Sequence, residues 1–399
     1  MKVFMVGGAG AMAWGTARDL MQVDELEELR LADVDEARVC QSVERLNDAR
    51  AQATTCDAND VGSLSKSLAG YDVCANAANH TANLNVMRAC LEAGVHYADL
   101  GGLFHVTRRQ LEMDSEFRKR GLVGLLGIGA APGITNVLAG RCAQLLDTIE
   151  EAKIQCSVGP TPEHDPEHDP EHEVFVPPYS ITTIIDELTQ PCPAFVDGEF
   201  RDLPAGGGEE EVDFFEPVGK RTVVRCIHSE PAMLPAAFRD KGIRHCDFKI
   251  GLPAAVHSAL KLFLAAGFGI HEPIQVGRER IAPPELLNLV ILENIKRNLE
   301  KIEKKSEPAE VYRAHLVGTR AGKRTEVIAD VIARPGWCKW NDVVHPGTST
   351  AFAVGIETIC SGQVQRGVGG AEGILTEPDA FLEKLERYGL ELRVTERPA

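Results

Sequence analysis

No C-x-x-C pair occurs among the eleven cysteines of this 399-residue chain. Cys40, Cys56, Cys74, Cys90 and the rest are scattered through apolar segments, where cysteine behaves as a small core hydrophobe rather than as a staple or zinc ligand. A basic run is missing too, because Glu300 and Glu303 interrupt the cations between Lys296 and Lys305. With 59 acidic against 42 basic residues the formal charge is −17, which argues against nucleic acid and against an anionic membrane surface as partners. No apolar run is long enough to span a bilayer, since glycines break the stretch from Leu122 to Ala131. The opening MKVFMVGG is too short for a signal-peptide core. A soluble protein of a reducing, cytoplasmic compartment is the expectation.

What is present is ordinary globular composition, 44% hydrophobic and 25% charged, in a chain long enough for two or three domains at roughly 150 residues each. The first third alternates short apolar runs with amphipathic stretches. Val3 to Val6, Leu29 to Ala32, Asp72 to Asn76, His96 to Leu100 and Leu122 to Ile128 read as buried parallel strands. Between them, helices carry Met12, Ala17 and Leu20, then Val39, Val43 and Leu46, then Leu84, Met87 and Leu91, the last capped by Thr81 and stopped by Gly94. Repeated strand–helix units of this kind predict an α/β fold, a Rossmann-type doubly wound parallel sheet over residues 1–132. Residues 133–347 read instead as an α+β substrate and dimerisation domain with mostly antiparallel pairing. Its strands are Lys153 to Val158, Val223 to Ser229 and His245 to Ile250, followed by a hairpin turning at Ala321–Lys323 and a long helix from about Pro284 to Lys304. Residues 348–399 are expected to return to the first domain. A homodimer is the default, resting on the apolar hairpin and the long helix.

One segment has low complexity: EHDPEHDPEH, from Glu163 to His172. Its three histidines sit beside carboxylates, but Pro166 and Pro170 forbid the helix that would align them. A solvated loop is expected, and no metal.

The chemistry concentrates at the predicted strand ends. Gly8-Ala9-Gly10-Ala11-Met12-Ala13 matches G-x-G-x-x-[GA] between a strand and a helix. Gly8 is assigned the tight turn and Gly10 the close approach to a pyrophosphate, which the first amides of the helix, at Ala11 and Met12, would bind. Asp33 ends the second strand and would accept bonds from the adenosine ribose, with Val34 beside it in place of the Arg that an added phosphate would need. NAD is therefore the expected cofactor. Asp57 and Ala58 follow the third strand near the adenine, Asp57 being equally a helix cap, while Asn76 and Ala77 let the cofactor cross the sheet. Asp99 and Leu100 end the fifth strand, where a carboxylate can take a proton, orient an amine or hold a loop. Asn136 closes GIGAAPGITN and offers both donor and acceptor.

Taken together, GGAGAMAWGTARDL, LADVDEA, LEAGVHYADLGG and GIGAAPGITNVLAGR resemble the saccharopine dehydrogenase-like oxidoreductases, most of all the lysine 6-dehydrogenase branch. The likeness is firm over Met1 to Asp147 and thins beyond it; Ala13 and the EHDP insertion depart from it. The resemblance implies hydride transfer between a nicotinamide and a carbon bearing nitrogen, with L-lysine deaminated at its terminal amine. The alternatives are a secondary-amine enzyme of the saccharopine or carboxynorspermidine type, and an NAD(H)-binding redox module without turnover. On the amine reading, Asp99 is the first candidate for acid–base work and His96 the second, with Asn136 contacting the ligand. Asp186 and Glu187, on a predicted helix, would meet a substrate ammonium, and Lys249 or Arg244 a substrate carboxylate.

Overall fold

The structure, a computed structural model, describes residues 1–158, 175, 177, 181–252, 254–298, 309–334, 336–340, 343 and 345–399. The tandem EHDP repeat lies outside these residues.

Apolar alternation and well-placed glycines generate the first unit. It opens with β1 (Lys2–Val6), α1 (Ala11–Leu20), β2 (Glu28–Asp33), α2 (Glu36–Leu46), β3 (Ala51–Thr55) and α3 (Val61–Ser67). It continues with β4 (Val73–Asn76), α4 (Asn83–Ala93), β5 (His96–Asp99), α5 (Leu103–Leu111), α6 (Asp114–Lys119) and β6 (Val123–Leu126). Gly94 ends α4 in the left-handed region, as the sequence suggests. Thr81 does not cap that helix: it lies in a 3-10 turn whose own cap is the Asn79 side chain. Between β5 and β6 the chain forms two helices, breaking into α5 and α6 at Glu112–Met113.

The second unit starts with α7 (Ile134–Gln144), β7 (Thr148–Val158), α8 (Ile181–Thr189), β8 (Cys192–Val196), β9 (Glu199–Leu203), β10 (Glu210–Asp213) and β11 (Lys220–Arg225). Next come α9 (Glu230–Ala237), β12 (His245–Gly251), α10 (Ala254–Ala265), β13 (Ile274–Val276), β14 (Glu279–Ile281) and α11 (Pro283–Arg297). The hairpin β15 (Glu310–Arg320) and β16 (Lys323–Ala333) turns at Ala321–Gly322, as predicted. The chain ends with α12 (Pro346–Cys360), β17 (Gly367–Gly370), α13 (Ala371–Ile374), α14 (Pro378–Tyr388) and β18 (Glu391–Pro398).

Two large sheets result. The first has the order β17-β6-β5-β4-β1-β2-β3 and every pairing in it is parallel. Its strand order reverses between β1 and β4, which opens the crevice that ligands of such sheets occupy. The second sheet runs β10-β11-β12-β7-β15-β16-β18, with β8 and β9 attached beside β12. It is mostly antiparallel, although β12 and β7 run parallel. The C-terminal segment divides its allegiance. Through β17 it completes the first sheet, and through β18 it pairs with β16 in the second, so the expectation of a simple return to the first unit is only half met.

Each strand of the second sheet has two distinct faces, set by the period of two. Phe248, Ile250, Cys156, Ile154, Tyr312 and Ala314 share the inner face, which α7 covers in part. Their neighbours Lys249, Gln155, Arg313 and Asp330 are in register on the outer face. The β15–β16 hairpin lies between β7 and β18, and its apolar residues are buried. Exposed apolar side chains are found instead on α11, at Leu289, Val290 and Leu292. Among the described residues, no helix is long and apolar enough to cross a membrane.

Candidate functional site

The glycine loop after β1 forms a cradle at the switch point. Gly7 makes the turn with φ +75°, and a Cβ there would lie 2.6 Å from the Ala78 nitrogen. A Cβ on Gly8 would meet Leu31 Cβ at 2.8 Å. The tight turn thus belongs to Gly7, and Gly8 serves the close approach of the loop to β2; this corrects the assignment from the motif. A Cβ on Gly10 would touch only the Gly7 oxygen, at 3.1 Å. Gly10 also caps α1 without any side-chain bond, so the first amides of the helix, at Ala11 and Met12, are presented to an anion.

Asp33 stands at the rim of this cradle. Its Oδ2 accepts the Ala9 N–H at 3.1 Å and its Oδ1 the Asp35 N–H at 3.2 Å. Val34 is 68% exposed beside it, and Arg38 Nη2 donates to the Ala9 carbonyl at 3.1 Å. Asp57 accepts the Asn59 N–H at 2.8 Å at the end of β3, next to the half-buried Ala58. The cap of α3 is Asp60, not Asp57. Asn76 and Ala77 end β4 on the other wall; Asn76 is buried, donating to Asn83 Oδ1 at 2.8 Å and accepting the Ala78 N–H at 3.2 Å. Gly10, Ala11, Met12, Asp33, Val34, Asp57, Ala58, Asn76 and Ala77 therefore share one carboxyl edge of the sheet. A backbone cradle with an uncapped helix start and a carboxylate one strand away fits a dinucleotide.

Farther along that edge, Asp99 is 1% exposed and saturated. Its Oδ2 accepts from Tyr97 OH at 2.8 Å, Gln110 Nε2 at 2.6 Å and Asn83 Nδ2 at 3.1 Å. Its Oδ1 accepts the Gly101 N–H at 2.9 Å and the Gly127 N–H at 2.7 Å. Burial raises its pKa against the pull of these donors. A carboxylate engaged by five donors is a tie between loops, so Asp99 departs from the free base expected of it. Leu100 follows it at the crevice floor, half-buried against the core.

His96 is the first residue of β5 and lies at the opposite end of that strand from Asp99. Its Nδ1 accepts the Val123 N–H at 3.1 Å, and burial with Arg366 beside it lowers its pKa. The structure removes His96 from the crevice. Asn136 is fully buried: its Oδ1 accepts the Gly133 N–H at 3.0 Å and its Nδ2 donates to Glu372 Oε2 at 2.7 Å. It fixes the loop after β6 to the C-terminal segment instead of facing a ligand.

The second unit closes the crevice with groups that sequence reading passed over. The link between β11 and α9 carries His228 and Ser229, and Glu230 opens α9. Ser229 Oγ accepts the Gly102 N–H at 3.3 Å, and Glu230 Oε1 accepts Thr135 Oγ1 at 2.8 Å. These bonds hold the link against the loops after β5 and β6. His228 Nδ1 is bonded to Glu230 Oε2, and its ring stacks on Phe248 at 3.7 Å. Glu187 of α8 and Glu230 both raise the His228 pKa against burial. Nearby on the inner face, burial pushes the Cys156 thiol well up, and Glu230, Glu187 and Glu310 add to the effect. Glu310 is also bonded to Tyr312 OH. This inner wall is acidic.

Among the residues offered for substrate contact, Asp186 and Lys249 end up in different places. Asp186 of α8 lies 3.1 Å from His271 Nε2 and acts across the crevice on His80, whose pKa burial lowers and Asp186 raises. Asp186 thus belongs to the crevice. Lys249 does not: it points from the outer face and donates to Glu210 Oε2 at 2.8 Å. Strand parity puts it on the far side of the sheet.

Asp99→Asn is expected to lower unfolding stability by about 2–3 kcal/mol, because an amide turns N–H groups toward donors. An unchanged urea midpoint would contradict the tie.

Glu372 gives a pH test. Burial raises its pKa to about 7, opposed by the Asn136 bond and helped by Glu230. The folded chain holds that proton more tightly than the unfolded one, so this contribution is full in acid and is lost as pH rises toward about 7. Glu372→Gln keeps an acceptor for Asn136 and should flatten the fall in stability between about pH 5 and 8. Parallel stability curves for the two proteins would argue against it.

Comparison with known proteins agrees with this geometry. Residues 3–125 match the family described as "Saccharopine dehydrogenase NADP binding domain", and residues 129–390 match "Saccharopine dehydrogenase C-terminal domain". A curated relative from Synechocystis sp., carboxyaminopropylagmatine dehydrogenase, is 22% identical over 414 residues, covering 98% of this chain and 96% of its own. Saccharopine dehydrogenase (L-Glu forming) from Saccharomyces cerevisiae has a similar fold, with a TM-score of 0.71 at 13% identity over 99% of both chains. Homospermidine synthase from Legionella pneumophila, solved in complex with NAD, superposes with a TM-score of 0.64 at 10% identity, covering 100% of this chain and 91% of its own. The chain belongs to the saccharopine dehydrogenase family and is an oxidoreductase that acts on amine groups.

Proposed function

We propose that this protein transfers hydride between NAD and a carbon–nitrogen bond of a cationic amine, with an agmatine- or polyamine-derived secondary amine as the preferred substrate class. The observation that carries this reading is the acidic inner wall, where Glu230 is bonded to His228 and Thr135, Glu187 also acts on His228, and both act with Glu310 on the Cys156 thiol. Carboxylates in a half-dry cleft favour ammonium or guanidinium groups over the several carboxylates of a substrate such as saccharopine. The name of the Synechocystis relative supports the same class. Lysine remains the second reading, supported by the sequence motifs and by Asp186 in the crevice. Its carboxylate, however, loses the anchor that Lys249 was expected to provide.

Gly7, Gly8 and Gly10 with the amides of Ala11 and Met12 would hold the pyrophosphate, Asp33 the adenosine ribose, and Ala77 and Leu100 the nicotinamide half. When bound, the nicotinamide accepts or returns two electrons and a hydrogen. The protein's own work is to bind the amine as a cation, take a proton from its nitrogen and keep its carbon about 3–3.5 Å from the ring. The preference for NAD rests on Asp33, whose charge opposes an added 2′-phosphate; Arg38, in the helix that follows, is engaged by the Ala9 carbonyl.

One assay tests both parts. Nicotinamide absorbance is followed with the carboxyaminopropyl derivative of agmatine, carboxynorspermidine, saccharopine and L-lysine, each with NAD and NADP. The highest kcat/KM is expected for a polyamine-type secondary amine with NAD, with discrimination against NADP of order 10²-fold. Faster turnover of saccharopine than of the cationic amines would remove the substrate class. Equal use of NADP would show that Asp33 does not read the ribose.

A further inference from the structure

We propose that His228 is the acid–base residue of this site, exchanging a proton between its Nε2 and the reacting nitrogen of the amine, with Glu230 as the positioning residue behind it. The inference deepens the proposed function and rests on it for the identity of the substrate.

The two ring nitrogens of His228 are not equivalent. Nδ1 is held by Glu230 Oε2, and a carboxylate acceptor there keeps the proton on Nδ1 and leaves a lone pair on Nε2. Nε2 has no hydrogen-bond partner among the described residues, and the side chain retains 10% of its exposure. Its ring is locked by the stack on Phe248 at an interplanar angle of 7°. Glu230 itself is fully buried and held from its other oxygen by Thr135, so the pair cannot swing away. Ser229, the intervening residue, is tied to Gly102 just after β5, and Thr135 opens α7 just after β6. The imidazole is thereby anchored to both loops that flank the predicted nicotinamide end. Neither Asp99, saturated by five donors, nor His96, at the far end of β5, can take this part. The charges that face the ring are Glu230 from its own segment and Glu187 from α8; both favour the imidazolium once a proton arrives.

The step balances. In the oxidising direction an N–H bond of the substrate ammonium breaks and its proton moves to Nε2, leaving a lone pair on nitrogen. That pair forms the C=N bond as the neighbouring carbon loses its hydrogen, with both bonding electrons, to the oxidised nicotinamide. In the reducing direction Nε2–H returns the proton to the nitrogen of the new amine.

Two measurements on the full chain decide this. Nitrogen-15 NMR of labelled histidine in wild type and Glu230→Gln reads the tautomer. At alkaline pH, protonated Nδ1 and bare Nε2 are expected in wild type, with a shift toward the other tautomer in the variant; a wild-type Nε2–H overturns the proposal, whatever the substrate. Kinetics of His228→Gln should show kcat lowered by about 10²–10⁴-fold. KM should change little, NADH binding by fluorescence should be intact, and the acidic limb of the kcat/KM profile should be lost. Unimpaired kcat with an unchanged pH limb would overturn His228 while leaving the function standing. If wild type turns over none of the amines, the substrate reading fails, and with it the role of His228 in that chemistry, even where the tautomer is as expected.

Discussion

The architecture of the crevice depends on one buried carboxylate. Asp99 gathers donors from β5 itself, from α4, from α5 and from the loops that begin at Gly101 and Gly127. Desolvating a charge is costly unless its lone pairs are filled, and here every lobe has a donor. The consequence is geometric. The ends of β5 and β6, which carry the predicted nicotinamide end, cannot move apart without exposing that charge. The segment around His228 is then held where those loops end, Ser229 accepting from Gly102 and Glu230 from Thr135, so the position of His228 follows from that of Asp99 through two hydrogen bonds.

The second sheet contributes by having two unlike faces. On the outer face Arg313 pairs with Asp330 at 2.7 Å and Lys249 with Glu210, in a row of cross-strand partners. Those charges neutralise one another. On the inner face, Glu187 of α8, Glu230 at the start of α9 and Glu310 of β15 all act on Cys156. A chain with formal charge −17 thus carries three carboxylates on the face where, on the proposed function, an amine would bind, which is a physical basis for selecting cations over polyanionic substrates.

Much of the first unit was legible because its signals are local. Apolar runs, the glycine loop, Gly94 and the acid at the end of β2 each report on a few neighbouring residues. His96 was misplaced although the information was present: it opens its strand, and only the last residue of a parallel strand reaches the crevice. Lys249 failed for a related reason. The strand was identified, but the face it presents depends on which side α7 packs, which one strand's sequence does not record. Asp99 and Asn136 were singled out as functional because they are polar residues at strand ends, and both prove to be ties whose partners, Gln110 and Glu372, are distant in sequence. His228 and Glu230 escaped notice because they carry no motif. Two residues apart where an irregular link enters α9, they acquire meaning only when Phe248 stacks beneath one and Thr135 bonds the other.

The division of the C-terminal segment also follows from long-range pairing. β17 is a run of glycine and valine that completes the parallel sheet, whereas β18 is charged and lies at the edge of the second sheet. One strand is buried by its neighbours and the other exposed, and together they fasten the two units across the cleft. The central claim is that chemistry occurs between the carboxyl edge of the first sheet and the inner face of the second. Its most direct test is a crystal structure with oxidised dinucleotide and a non-reacting analogue of a cationic amine. The account predicts the pyrophosphate at Gly10, the amine nitrogen within hydrogen-bonding reach of His228 Nε2, and the cationic tail among Glu187, Glu230 and Glu310. An analogue bound on the outer face beside Lys249, or a nicotinamide directed away from His228, would contradict it.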